Sequence, residues 1–211
     1  MALRVEAKSS MQERILSAAD RLFYARGIQA VGVDLIAAEI GISKRTLYNH
    51  FASKGDLIVA YLERRNRPTP SPDLPPAERI LAEFDRLERS FAKATFRGCP
   101  FINAVAELAQ PDETVAEIAL RFKEERRLWF RENLRQLEVA DPDGLAMQLA
   151  LLADGAVAAA LVRGDPRVAR AARDAAAVLL AAAGVVAATS TDVSGGRRRS
   201  PDAKRWNRSR R

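Results

Sequence analysis

Residues 43–50, Ser-Lys-Arg-Thr-Leu-Tyr-Asn-His, gather two cations, two hydroxyls, a phenol, an amide and an imidazole within eight positions, with no carboxylate among them. Such a set is built to donate hydrogen bonds to anionic and carbonyl oxygens, which is what phosphates and base edges present. It does not suit covalent or metal chemistry. His50 is the only histidine and Cys99 the only cysteine, so neither a Cys/His zinc site nor an intrachain disulfide can be assembled. The rest of the chain offers no nucleophile with a base and an orienting partner, no Gly-rich phosphate loop and no obvious carboxylate pair. We therefore expect neither an enzyme nor a cofactor, and Cys99 is expected to be a buried free thiol.

The elements around that cluster explain how it would be held. Residues 32–40 and 43–50 read as two short helices broken at Gly41, whose positive φ suits a tight inter-helix turn. Ala37 lies one helical turn earlier and is small enough for the second helix to cross it. Ile36, Ile40, Ile42 and Leu47 form the inward face, which leaves Lys44, Arg45, Tyr48, Asn49 and His50 pointing outward or sideways. Ser43 is an N-cap for the second helix. This helix-turn-helix predicts binding to double-stranded DNA, with Lys44 or Arg45 at base edges from the first turn of the inserted helix. The Tyr48 phenol would lie over a phosphate while its ring packs beneath. Phe51 belongs to the core.

A first helix is predicted at 11–26, with Ile15, Ala18, Ala19, Leu22 and Phe23 at helical spacing, Ser9 or Ser10 as cap and Gly27 as stop. Ser53 caps a fourth helix that carries Lys54, Gly55 and Asp56 in its first turn and runs to about residue 67. Five of the nine residues from Pro68 to Pro76 are proline, which marks a boundary. Beyond it helices are expected at 77–96, 101–109, 112–139, 144–162 and 168–186. The domain reading is 1–67 for the DNA-binding module, 68–76 for a Pro-rich linker, 77–187 for an effector-binding and dimerisation body, and 188–211 for a disordered basic tail.

The fold class is all-α, because Ala, Leu, Glu and Arg recur at spacings of three and four while alternating strand patterns are scarce. Charge is distributed unevenly. Residues 1–67 carry 11 Lys and Arg against 7 Asp and Glu, residues 68–187 carry 15 against 18, and residues 188–211 carry 8 against 2. A basic first module on a mildly acidic body fits a DNA-facing end and a second end with another task. The last two helices are rich in alanine and apolar nearly all round. Small residues at Ala146, Ala150, Ala153, Gly155, Ala158, Ala172, Ala176 and Ala183 would let helix axes approach closely, as in a bundle made by two chains. A homodimer is the expectation. The first ten residues lack the apolar stretch of a signal peptide, and the uncharged run 175–191 is mostly alanine and broken by Gly184, so a cytoplasmic protein without a membrane partner is expected.

Apolar and aromatic side chains at Phe84, Phe91, Phe101, Val105, Phe122, Trp129, Met147 and Leu151 are candidates to line a small-molecule pocket in the body. Glu107 and either Arg126 or Arg127 are candidate polar anchors for its ligand.

The stretch 14–62 carries a specific likeness. Its motifs Ala18-Ala-Asp-Arg-Leu-Phe, Gly27, Ile36-Ala-Ala-Glu-Ile-Gly-Ile-Ser-Lys-Arg-Thr-Leu-Tyr-Asn-His-Phe and Ser53-Lys-Gly-Asp-Leu resemble those of the TetR family of bacterial transcriptional regulators. Gly98-Cys-Pro-Phe-Ile-Asn looks like a subgroup element opening the sixth helix. The resemblance implies a nine-helix, two-fold symmetric regulator whose larger domain binds an effector and dimerises through its last two helices. It implies that Lys44, Arg45 and Thr46 open the recognition helix in the major groove, that Tyr48 and His50 contact phosphate or sugar, and that Lys54 holds backbone phosphate; Ser43 and Asn49, at the two ends of that helix, are counted with them as DNA-site candidates. One position departs from the family pattern. Where a Thr or Ser commonly opens the second helix, this chain has Val31-Gly32-Val33, so Gly32 would cap without a hydroxyl and reach phosphate only through its amide. The expected activity is repression of a pseudo-palindromic operator, relieved by an apolar or amphipathic ligand; the alternative is a ligand-independent regulator acting through oligomerisation or a protein partner.

Overall fold

The computed structural model describes residues 10–108 and 113–185. The predicted basic tail and the predicted end of the 101–109 helix lie outside the described residues. Nine helices and no strand occur among those described.

The first four helices share one core. α1 (Met11–Arg26) starts where the Ser10 hydroxyl accepts the Glu13 amide at 3.2 Å and stops at Gly27, whose φ is +92°. Its buried stripe, Ile15, Ala18, Ala19, Leu22 and Phe23, is the one the sequence spacing dictates. α2 (Val33–Glu39) and α4 (Lys54–Arg65) pack on it, and α3 (Lys44–Tyr48) packs on α2. Phe23 and Tyr61 meet edge to face with centroids 5.5 Å apart, and burial pushes the Tyr61 phenol pKa up.

The body is a bundle of five helices: α5 (Pro76–Phe91), α6 (Pro100–Glu107), α7 (Glu113–Gln136), α8 (Pro142–Arg163) and α9 (Val168–Ala182). Proline opens α5, α6 and α8, where its missing N–H costs nothing. α7 is the central strut, contacting α4, α5, α6 and α8, while α9 packs on α5 and α8. α5 ends at Phe91 rather than at residue 96, because the apolar spacing stops there and Phe96 folds back onto Phe91 with centroids 4.8 Å apart. On α7 the inward position is Phe130, fully buried, whereas Leu128 and Trp129 are only half-buried. Glu83 is buried as well, held by two 2.6 Å bonds from Arg86. α8 is long and apolar enough in composition to cross a bilayer, yet Leu145, Ala146, Leu149, Ala153 and Ala160 are buried within the bundle.

Four of the eight small residues expected at a two-chain interface, Ala146, Ala153, Ala172 and Ala176, are instead buried inside the protomer, bringing α8 and α9 close to their neighbours. Gly155 and Ala158 do lie on the outer surface.

Long-range polar contacts join the two halves. The Tyr24 hydroxyl donates to the Gly98 carbonyl and accepts from the Arg97 amide, each at 3.0 Å. Glu107, the last residue of α6, accepts the backbone amides of Ile28 at 2.5 Å and Gln29 at 3.2 Å, and its own carbonyl accepts from the Gln29 side chain. Arg121 on α7 donates to Glu63 on α4 at 2.5 Å.

Candidate nucleic-acid interface

The turn between α2 and α3 is made by Gly41 at φ +70°, with the Ile42 amide bonding back to the Ala37 carbonyl at 3.0 Å. Ala37 and Ile36 are buried, and Leu47 anchors α3 with no exposed surface. Ile40 and Ile42 are half-buried at the rim. α2 is fixed to α1 from outside by Arg21 to Glu39 at 2.6 Å and by Arg14 to the Ile40 carbonyl at 3.1 Å.

α3 is shorter than expected, five residues, since Asn49 and His50 form its C-terminal turn. Ser43 is the N-cap, accepting the Thr46 amide at 3.0 Å, and the two hydroxyls lie 2.9 Å apart. Both are therefore engaged locally, and Thr46 is half-buried. Lys44, Arg45, Tyr48, Asn49 and His50 are exposed on the side away from Leu47, with Tyr48 at 40%. Arg45 makes no ion pair among the described residues. Lys44 does: its ammonium sits 3.0 Å from Asp34 on α2, and that hydrogen bond holds its pKa above the usual lysine range. The sequence reading missed this pair, although Asp34 and Lys44 stand at the first turns of two packed helices. Lys54 opens α4 beside Ser53, whose hydroxyl accepts the Asp56 amide at 3.0 Å. Gly32 takes the N-cap position of α2 at φ −80° and ψ 158°, with open space where a side chain would stand.

The eight pocket candidates are not brought around one void. Phe84 is core, stacked on Phe130 at 6.3 Å, and Phe91 is core against Phe96. Phe101 stacks on Phe122 at 3.9 Å, and Val105 stands exposed on α6. Trp129 gives its indole N–H to Ser71 at 2.7 Å. Met147 and Leu151 must be corrected: they face outward, 48% and 63% exposed, because the buried stripe of α8 runs through Leu145, Ala146, Leu149 and Ala153. Of the polar anchors, Glu107 joins the domains, Arg127 bonds Glu124 and Asp143, and only Arg126 is buried.

An all-helical chain that mounts a helix-turn-helix on a larger bundle defines a class of DNA-binding regulators, and comparison with known proteins places this chain within it. Residues 15–61 match the family model described as bacterial regulatory proteins, tetR family. A crystal structure of a TetR-type transcriptional regulator from Streptomyces avermitilis is similar over 83% of this chain and 99% of that one, with 33% identity and a TM-score of 0.75. SCO4454, a TetR-family transcriptional regulator from Streptomyces coelicolor, is similar over 82% and 95%, with 32% identity and a TM-score of 0.74. Among curated proteins, the HTH-type transcriptional activator FasR of Mycolicibacterium smegmatis is 47% identical over 51 residues, 24% of this chain and 23% of FasR. The match thus spans about a quarter of the length of such relatives. The chain belongs to the TetR family of DNA-binding transcriptional regulators.

Proposed function

We propose that the chain is a cytoplasmic, homodimeric repressor that sets one α3 per protomer into successive major grooves of a pseudo-palindromic operator, about 34 Å apart. The observation that carries this reading is the two-sidedness of α3 and its C-terminal turn, with Leu47 sealed into the core and Lys44, Arg45, Tyr48, Asn49 and His50 exposed on the opposite side. Lys44 and Arg45 read base edges; Tyr48, His50 and Lys54 hold phosphates; Ser43 and Thr46 fix the start of α3, Asn49 ends it, and the Gly32 amide reaches a phosphate. Residues 1–67 form the DNA-binding unit, 68–76 the linker and 77–187 the body. A second copy covers the outer face of α8 and α9, where Met147, Leu151 and Val162 on α8 and Val178 on α9 are exposed. An amphipathic ligand in the body, preferring a conformer with a different α3 separation, releases the operator.

Two observations support the alternative, a regulator that needs no ligand or that activates. Phe84 and Phe91 are spent in the core rather than around a void, and FasR is by name an activator. The deciding experiment is selection of genomic fragments by the purified full chain, followed by gel-shift titration. The expected result is a two-fold repeated sequence. Failure to enrich any duplex at low ionic strength overturns the DNA reading.

A further inference from the structure

Between α1, the end of α4, the Pro-rich segment, α5, α6 and α7 lies a cavity of about 660 Å³, within the range of small-molecule sites. Its lining is strongly cationic, and Asp20 is the only acid in it among the described residues. Asp20 is already consumed by Arg65 through bonds of 2.6 and 3.0 Å, and the Arg86 guanidinium is matched by Glu83. Arg126 is not matched. It is nine-tenths buried, its Nε has no partner among the described residues, and its nearest carboxylate, Asp154 at 3.6 Å, is held by Lys123 at 2.6 Å. A buried guanidinium with an idle donor and a shared counter-ion destabilises the free protein, and an incoming anion would offset that. Beside it the stacked pair of Phe101 and Phe122 supplies an aromatic wall, with the Arg126 guanidinium 5.3 Å from the Phe122 ring centre. Arg67 and Lys93 stand exposed at the lining without ion pairs among the described residues.

We propose that this cavity binds a small amphipathic organic acid, its anionic head on Arg126 and its apolar part against Phe101 and Phe122. The inference rests on the reading above that a small ligand controls the protein, and adds its charge and its seat. A neutral apolar ligand would leave the cations uncompensated; a duplex cannot reach a guanidinium this deeply buried.

The test uses two fluorescent probes with the same aryl body, anionic 1-anilinonaphthalene-8-sulfonate and neutral N-phenyl-1-naphthylamine, titrated into the full-length protein. Arg126→Gln weakens the sulfonate about tenfold, the loss of a charge-assisted hydrogen bond, and leaves the neutral probe unchanged. Arg67→Gln alters an exposed side chain, so it folds whether or not Arg126→Gln does, and it weakens the sulfonate about threefold at low salt. Wild-type sulfonate affinity in Arg67→Gln together with a folded Arg126→Gln overturns the proposal, as does Arg67→Gln alone if the other variant fails to fold. Equal loss of both probes in Arg126→Gln also overturns it, since Arg126 would then act only by packing. Operator anisotropy with the sulfonate present separates the two readings: binding through Arg126 without change in operator affinity supports the anion site while removing ligand release.

Discussion

At Gly32 the N-cap of α2 lacks the hydroxyl that Ser10, Ser43 and Ser53 supply at the starts of α1, α3 and α4, and the backbone there is ready to take one. The extended φ suits any residue, and nothing stands within 4 Å of an added Cβ. Gly32→Ser should raise stability by roughly a few tenths of a kcal/mol in a thermal melt and tighten binding to every duplex by a new phosphate contact; unchanged affinity would show that the α2 start does not face the backbone. Lys44 and Arg45 are neighbours with different histories. Lys44 must leave Asp34 to reach a base, so its net gain on DNA is reduced, though only a little, because the pair is exposed and solvent-screened. Arg45 has no such cost. We expect Arg45→Ala to relax preference at one or two operator positions more than Lys44→Ala does, while Lys54→Ala weakens all sequences alike and lowers the salt slope by about one. A binding profile indifferent to all three removes α3 from the groove.

The turn and the inter-domain joint are properties of elements. Gly41→Ala meets open space, so its whole cost is the left-handed backbone, about 1–2 kcal/mol by thermal denaturation, with the α2–α3 angle and hence operator affinity lost alongside. Glu107→Ala leaves the Ile28 amide, in a residue 2% exposed, without its acceptor, a loss of about 1–3 kcal/mol, with faster hydrogen exchange at Ile28 and Gln29; Glu107→Gln, which keeps an acceptor, should restore most of it. These two cases also mark what the sequence discloses. Gly41, Ala37 and Leu47 announce the helix-turn-helix because its geometry is local, a matter of spacing within a dozen residues. The buried stripe of α1 and its Ser10 and Gly27 ends are legible for the same reason. The joint between Glu107 and Ile28 is not, since residues 79 apart in sequence meet without any periodicity to betray them. Helix rotation is equally silent where apolar residues surround an axis, which is why Met147 and Leu151 turn out and Phe130 turns in.

At the scale of the molecule, the outer face of α8 decides whether one chain is enough. Met147, Leu151, Gly155, Ala158 and Val162 recur every three or four residues along it, all exposed, with Val162 86% and Leu151 63% accessible. The stripe is large at its ends and small in its middle, a shape that lets a second helix approach closely at the crossing. In the proposed complex a single operator half-site meets only the five exposed residues Lys44, Arg45, Tyr48, Asn49 and His50 and a few flanking ones, too few for tight binding, whereas two linked half-sites convert the second contact into an intramolecular one. Leu151→Glu places a charge in the centre of that face without disturbing the protomer, because the side chain contributes little to its own core. Sedimentation velocity should then report a monomer, circular dichroism should show wild-type helicity, and gel-shift titration should show operator affinity reduced to that of a half-site. A variant that still sediments as the wild type does would mean that this face is not where the copies meet, and the pairing of the two recognition helices would have to be sought on another surface.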